Sequence, residues 1–264
     1  VMFTVQIMAQ GQISTQEWRN DLMFLKETVH NEFSFLFKKT TANEFNRQID
    51  QLFEAIPVLE EHEIVVGFSR IIALFGYGHT RLNAGPNISK FNALPLDVYY
   101  YSDGIFIRSA NNRYKNDIGA KITHVNKLSI DEVLTLIKPT VSVENKKFFK
   151  AYWLRNILFP EKLNAQGIIS ELSNSVQFTL LKDGIEYDQS FHALGSEVKI
   201  KKQYGHVIQN DWTDARIPGA EPLYLKYLEK RYHNEYLSEE KAMYIRQSAI
   251  LDDPLEDIDN FYSR

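Results

Sequence analysis

Among side chains able to do acid–base chemistry, His79 has the most distinctive setting, in Ile72-Ala73-Leu74-Phe75-Gly76-Tyr77-Gly78-His79-Thr80. An apolar helical run stops there at two glycines, which permit positive φ and a sharp exit, and the imidazole follows at once. Loops held by rigid elements are where reactive side chains are usually presented. Histidine, with an unperturbed pKa of about 6.5, is the commonest general base near neutral pH. The alternative is a histidine that only opposes the negative end of the helix dipole. A serine-type reaction also needs a hydroxyl within reach of the base, and the spacing nominates the base alone.

Other chemistries find less support. The chain has 7 His, but Glu61-His62-Glu63 and His30-Asn31-Glu32 put their side chains on different helix faces. No His-Glu-x-x-His pair exists, so no metal is expected. No Gly-x-x-x-x-Gly-Lys or Gly-x-Gly-x-x-Gly loop is present, so no cofactor is expected, and a Gly-x-Ser-x-Gly elbow is also missing. With 0 Cys there is no disulfide framework, thiolate zinc site or cysteine nucleophile. The acids from Asp252 onward lack EF-hand spacing and read as a solvated helix.

Elements able to position His79 lie on both sides of it. Trp18, Leu22, Leu25, Val29 and Phe33 mark an apolar helical stripe, and the 15–75 stretch reads as helices. Thr41-Ala42-Asn43-Glu44 has capping-box spacing, and Phe45, Ile49, Leu52 and Phe53 continue at helical period until Pro57. Glu60, Glu61 and Glu63 give an acidic first turn to a third helix, with Ile64, Val65, Phe68, Ile71, Ile72 and Phe75 inward. From about residue 94 the period falls to two: Leu96, Val98 and Tyr100 alternate with Asp97, Tyr99 and Tyr101. Ser102-Asp103-Gly104 turns this strand into Ile105-Phe106-Ile107, a hairpin. Another strand is expected over 118–125, then a helix capped at Ser129-Ile130-Asp131-Glu132 and closed by Pro139. The 148–158 stretch reads as helical, and 176–181 and 187–192 as a hairpin across Lys182-Asp183-Gly184. Residues 195–221 are polar and irregular, the best linker candidate; an apolar run at 223–228 and a strand at 242–245 follow.

Both ends read as interrupted. Val1 to Ala9 is apolar but far short of the roughly 20 residues of a membrane span, so no stable membrane insertion is expected. It fits the end of a secretory signal, with Ala9 at a small-residue cleavage position; a buried N-terminal strand is the alternative. Asp252-Asp253-Pro254 is a helix-start signal, and Leu255, Ile258, Phe261 and Tyr262 recur at helical spacing up to Arg264. A short natural C-terminal helix is the bland reading of the same residues. The composition, 44% hydrophobic and 13% aromatic over 264 residues, excludes disorder and coiled coils and corresponds to roughly two domains. A net charge of −4, from 30 basic and 34 acidic residues, gives no global attraction to nucleic acid or anionic membranes.

Four segments in order resemble the front part of the C-terminal-processing (tail-specific) serine peptidases of the tricorn-core superfamily. They are Asp21-Leu22-Met23-Phe24-Leu25-Lys26, the His79 segment, Leu94-Pro95-Leu96-Asp97-Val98-Tyr99-Tyr100-Tyr101-Ser102-Asp103-Gly104, and Ile118-Gly119-Ala120-Lys121-Ile122-Thr123-His124-Val125-Asn126. The resemblance runs from about residue 15 to the end. Family members often show Gly-Asp-Gly-His-Thr before a PDZ-like domain; here Tyr77 stands where the Asp would be.

The resemblance implies an α+β chain. Residues 1–13 would be a signal-peptide remnant or N-terminal extension, 14–90 a helical region, 91–195 a PDZ-like β-rich domain, and 196–264 a linker and the start of a truncated α/β peptidase domain. It implies a secreted, periplasmic or cell-envelope peptidase acting on unstructured polypeptides or peptide C-termini, with His79 as general base to a serine. No match to the family's nucleophile segment occurs in the 264 residues, so this chain alone is expected to be inactive. Tyr244-Ile245-Arg246 resembles the first strand of the catalytic domain. A non-catalytic protein that binds peptides or apolar ligands is the competing expectation.

Overall fold

Helix α1 (Thr15–Glu32) starts at Ser14, whose hydroxyl accepts from the Glu17 N–H while the Glu17 carboxylate accepts from the Ser14 N–H at 2.7 Å. This reciprocal box satisfies two of the donors that a helix start leaves open. The structure, a computed structural model, describes residues 13–82, 91–198, 200, 202–203, 206–207, 209–216, 222–227 and 229–263. The expected signal remnant therefore lies, except for Ile13, outside the described residues.

Helix α2 (Ala42–Ala55) is capped by Thr41, but only half of the expected box forms. The Thr41 hydroxyl accepts from the Glu44 N–H at 3.1 Å, whereas the Glu44 carboxylate turns to Arg47 and Gln48. An arginine one turn along offers a charge-assisted bond, which is stronger than a neutral backbone donor. Helix α3 (Glu61–Ala73) has the full box with an acid, Glu60, at the cap. The three helices close over Trp18, Leu22, Phe45, Ile49, Phe68, Ile71 and Phe75, all buried. Burial of such side chains contributes roughly 1.5–3 kcal/mol each before entropy is counted.

The strands are β1 (Leu96–Tyr101), β2 (Gly104–Asn111), β3 (Lys121–Val125), β4 (Leu128–Ser129), β5 (Ser175–Lys182) and β6 (Ile185–His192). They pair in the order β1-β2-β3-β5-β6, with β4 on β3. Val176 faces Phe191 across β5 and β6, and Lys182 faces Ile185. The two residues between, Asp183 (φ 52°) and Gly184 (φ 78°), have the positive φ that a tight hairpin needs. Helix α4 (Ile130–Ile137) carries its own capping box from Ser129 and Glu132 and packs on β3. Strand β1 departs from simple alternation: Asp97 is buried beside Leu96 and Val98.

Between α4 and β5 the chain forms α5 (Lys146–Phe148), a π turn (Phe149–Trp153), a 3-10 turn (Leu154–Leu158) and α6 (Pro160–Ala165). Helix α6 lies against α3, where His62 Nε2 meets Asn164 Oδ1 at 2.8 Å and Arg70 donates to Gln166 at 3.1 Å. The helices and this sheet belong to one compact unit, the described residues of 1–107 and 120–198.

The second unit comprises the described residues of 108–119 and 199–264. Here the 195–221 stretch is less irregular than its composition suggests. It contains β7 (Lys202–Gln203), β8 (His206–Val207) and β9 (Trp212–Asp214). Ser109 in the last residues of β2 pairs with Asp214 of β9, a partner distant in sequence and therefore invisible to local pattern. Strands β10 (Tyr232–Leu237) and β11 (Ala242–Gln247) form a hairpin, and β11 includes Tyr244-Ile245-Arg246.

The helix expected to start at Asp252-Asp253-Pro254 instead begins later, as α7 (Ile258–Tyr262), capped by Asp257. The two earlier acids are committed elsewhere. Asp253 accepts from the Arg231 N–H at 2.8 Å, and Asp252 accepts from the Ile258 N–H at 3.1 Å. The chain is thus α+β, and among its described residues no helix is long and apolar enough to cross a membrane.

Candidate active site

His79 stands on the 76–80 loop that leaves the end of α3. Gly76 has φ +62°, the left-handed geometry that turns the chain off the helix. Three long-range hydrogen bonds then fix the loop backbone. Lys39 Nζ donates to the Gly76 carbonyl at 2.8 Å, Ser142 Oγ donates to the Tyr77 carbonyl at 2.7 Å, and the Gly78 N–H donates to Glu144 Oε1 at 3.2 Å. A local turn, Thr80 N–H to the Tyr77 carbonyl at 2.9 Å, closes it.

Gly78 is required for a different reason from Gly76. A Cβ at this position would lie 2.3 Å from the Phe148 ring, so only glycine lets the loop approach α5. Tyr77 packs against the helical core and carries Lys39 Nζ 4.2 Å over its ring. A cation above an aromatic face is worth roughly 0.5–1 kcal/mol at a partly exposed site. The tyrosine therefore anchors the loop through its ring, and no carboxylate takes that place.

The His79 side chain is exposed, and it makes no hydrogen bond among the described residues. No hydroxyl or acid is hydrogen-bonded to its ring there. Ser142, the hydroxyl bound to the loop, gives its proton to a carbonyl and not to an imidazole. The structure thus fixes the backbone of His79 and leaves its ring open to an approaching group. The histidines dismissed as metal ligands have structural partners: His30 meets Asn46 at 2.8 Å and stacks on Phe37, and His62 holds Asn164. Among the described residues no three His, Asp or Glu side chains gather as a metal site would require.

A second polar centre in the same unit has no sequence motif. Lys162, on α6, is 8% exposed, and its ammonium donates to Asn156 Oδ1 at 2.7 Å. Asn156 is itself buried and donates to the Trp153 carbonyl at 2.6 Å. Burial, with a smaller contribution from the Arg155 charge, pushes the Lys162 pKa down to about 8. Neighbouring Glu161 is also buried, but its Oε1 accepts both N–H groups of Asn92, at 2.9 and 2.7 Å. Lys162 lines a cavity of about 300 Å³ together with Val65, Ser69, Arg81, Leu82, Phe91, Trp153, Arg155, Asn156 and Phe159. Sequence reasoning missed it because Lys162 sits in an ordinary-looking Pro-Glu-Lys-Leu helix start, with nothing to show that α3 covers it.

In comparisons with known proteins the chain matches no family model and no curated protein.

Proposed function

We propose that this chain is the base-presenting and peptide-docking part of a serine-type peptidase of the secreted or cell-envelope compartment. His79 is its general base. The observation that carries the proposal is the 76–80 loop: an exposed imidazole with an unoccupied ring, on a backbone pinned by Lys39, Ser142 and Glu144. Preorganisation of this kind is what acyl transfer asks of its base, because a displacement of about 1 Å can cost roughly 100-fold in rate.

In the reaction His79 accepts the proton of a serine hydroxyl as that oxygen attacks the scissile carbonyl. The imidazolium then gives the proton to the leaving amine, and water repeats the sequence on the acyl-enzyme. The serine and the oxyanion donors are not matched by any motif in these 264 residues. The β1–β6 sheet with α4 serves as a PDZ-like domain, taking an extended peptide by strand addition. Strand β1 suits this role, as it ends the strand order among the described residues.

The test uses the whole gene product. An unstructured peptide and a serine-directed covalent probe are each applied to the wild type and to His79→Ala. Loss of roughly 100- to 10,000-fold in both hydrolysis and labelling, at an unchanged unfolding temperature, is the expected result. Full activity in the variant would remove His79 from the mechanism.

One observation favours a second reading, a non-catalytic binding protein. Tyr77 is engaged as an anchor, and the acid that reaches the loop, Glu144, binds the Gly78 N–H and not the imidazole. On this reading the probe labels neither protein, and peptide binding survives His79→Ala.

A further inference from the structure

The cavity beside Lys162 brings three cations together without an anion. Lys162, Arg155 and Arg81 all line it, none of the lining residues is an acid, and none of the three makes an ion pair among the described residues. Arg155 and Lys162 are close enough to repel, as are Arg81 and Arg155. Lys162 is buried while Arg155 and Arg81 are exposed, so the cost of unmatched charge falls on the ammonium, which with one hydrogen bond keeps donors to spare. Trp153 adds a buried indole N–H with no partner among the described residues.

Ser69 and Asn156 are polar, and the remaining wall is apolar. Val65, Leu82, Phe91, Trp153 and Phe159 contribute about half of the lining, and Phe91 and Phe159 stand 6.4 Å apart between ring centres. A volume of about 300 Å³ lies at the small end of ligand sites. A bare inorganic anion would leave the aromatic walls facing water, and a neutral apolar molecule would leave the cations unmatched.

We propose that this cavity binds a carboxylate carried on a compact apolar body, the charge held by Lys162, Arg155 and Arg81 and the body by Phe91, Trp153 and Phe159. The carboxylate belongs either to a small organic acid or to the last residue of a polypeptide; the recognition chemistry is the same. The assignment does not depend on His79 acting as a base, although Arg81 and Leu82, which follow that motif in the chain, line the cavity.

Titration calorimetry of the 264-residue chain tests it with 3-phenylpropionate, its uncharged amide, a peptide ending in Phe, the same peptide amidated, and inorganic phosphate. Saturable binding of 3-phenylpropionate is expected, with the amide roughly tenfold weaker or worse. Lys162→Met and Arg155→Gln should each weaken binding by about tenfold. Ser69→Leu, which fills the cavity from α3, should abolish it. The Arg155 variant keeps the test valid if Lys162→Met does not fold, because Arg155 is at the surface. Equal or tighter binding of the free-acid peptide assigns the carboxylate to polypeptide ends, and binding of the small acid alone assigns it to a free metabolite-sized acid. Equal affinity for acid and amide, phosphate binding as tight as the organic acid, or no binding at all would overturn the proposal.

Discussion

His79 and Lys162 occupy opposite surroundings within one compact unit. The imidazole is exposed and without a partner among the described residues, but its loop is bonded to side chains from two other parts of the chain, Lys39 and the 142–144 segment. The ammonium is buried and singly bonded, and the cations near it carry no matching acid. A side chain can be prepared for chemistry by holding its backbone still while the side chain itself stays in water. It can also be prepared by withdrawing water, which changes its proton affinity and creates a demand for an opposite charge. The two regions illustrate each route, and substitutions at them should fail in different ways.

The largest effect outside catalysis is expected at Lys162 and should be visible in stability against pH. Its folded pKa of about 8 lies below the ordinary lysine value of 10.5, so above pH 8 the unfolded chain binds the proton more readily than the folded one. Stability contributed by this group therefore rises with pH between about 8 and 10.5, by up to about 3 kcal/mol. Below pH 8 both states are protonated and the burial penalty is fully present. Urea unfolding of wild type and Lys162→Met at pH 7.5 and 10 isolates the difference. An equal pH response in both proteins would mean that Lys162 is solvated like a surface lysine. Saturating 3-phenylpropionate should flatten the wild-type rise, because a bound anion holds the proton on.

Gly78→Ala comes next, and it attacks the other route. Its φ is not left-handed, so the penalty comes from the Cβ meeting the Phe148 ring at 2.3 Å, roughly 1–3 kcal/mol. The His79 backbone should shift with it, lowering the peptide hydrolysis proposed above, while carboxylate binding should still depend on Lys162 and Arg155. Adding Phe148→Ala should restore part of both losses. If Gly78→Ala is neutral in stability and activity, the loop is not held against α5 as described.

The smallest expected change is Ser142→Ala, which removes one hydrogen bond to the Tyr77 carbonyl. About 1 kcal/mol of stability should be lost, with faster amide exchange confined to the loop. An effect comparable to His79→Ala on hydrolysis would instead give Ser142 a direct part in the chemistry and break the contrast between positioning and reacting groups.

Much of the local structure is readable from residue types alone. The three N-terminal helices follow from the spacing of Trp18, Leu22 and Val29, of Phe45, Ile49 and Leu52, and of Ile64, Phe68 and Ile71, all of which are buried. The β5–β6 hairpin follows from Asp183-Gly184, whose positive φ values suit a tight turn. These are near-neighbour effects, repeated every two to four residues, and a linear pattern carries them. The helix expected from Asp252 starts later for the complementary reason: Asp253 is bound to the N–H of Arg231, and a capping residue can be diverted by any donor the fold brings close.

His79 is legible as a candidate because the glycines on either side of Tyr77 are local signs of a turn. What holds that turn is not legible. Lys39, Ser142, Glu144 and Phe148 reach it across as many as 70 residues of sequence, and nothing in their own neighbourhoods marks them as loop anchors. Lys162 is further still from any motif, since its altered chemistry arises only when α3 and the 153–159 turns exclude water from it. The sequence by itself determined where the three N-terminal helices and the two hairpins of the first unit occur and which histidine is set apart, because those depend on neighbours along the chain. Tertiary structure alone decided which backbone is immobilised and which charge is desolvated, because both depend on groups that only folding brings together.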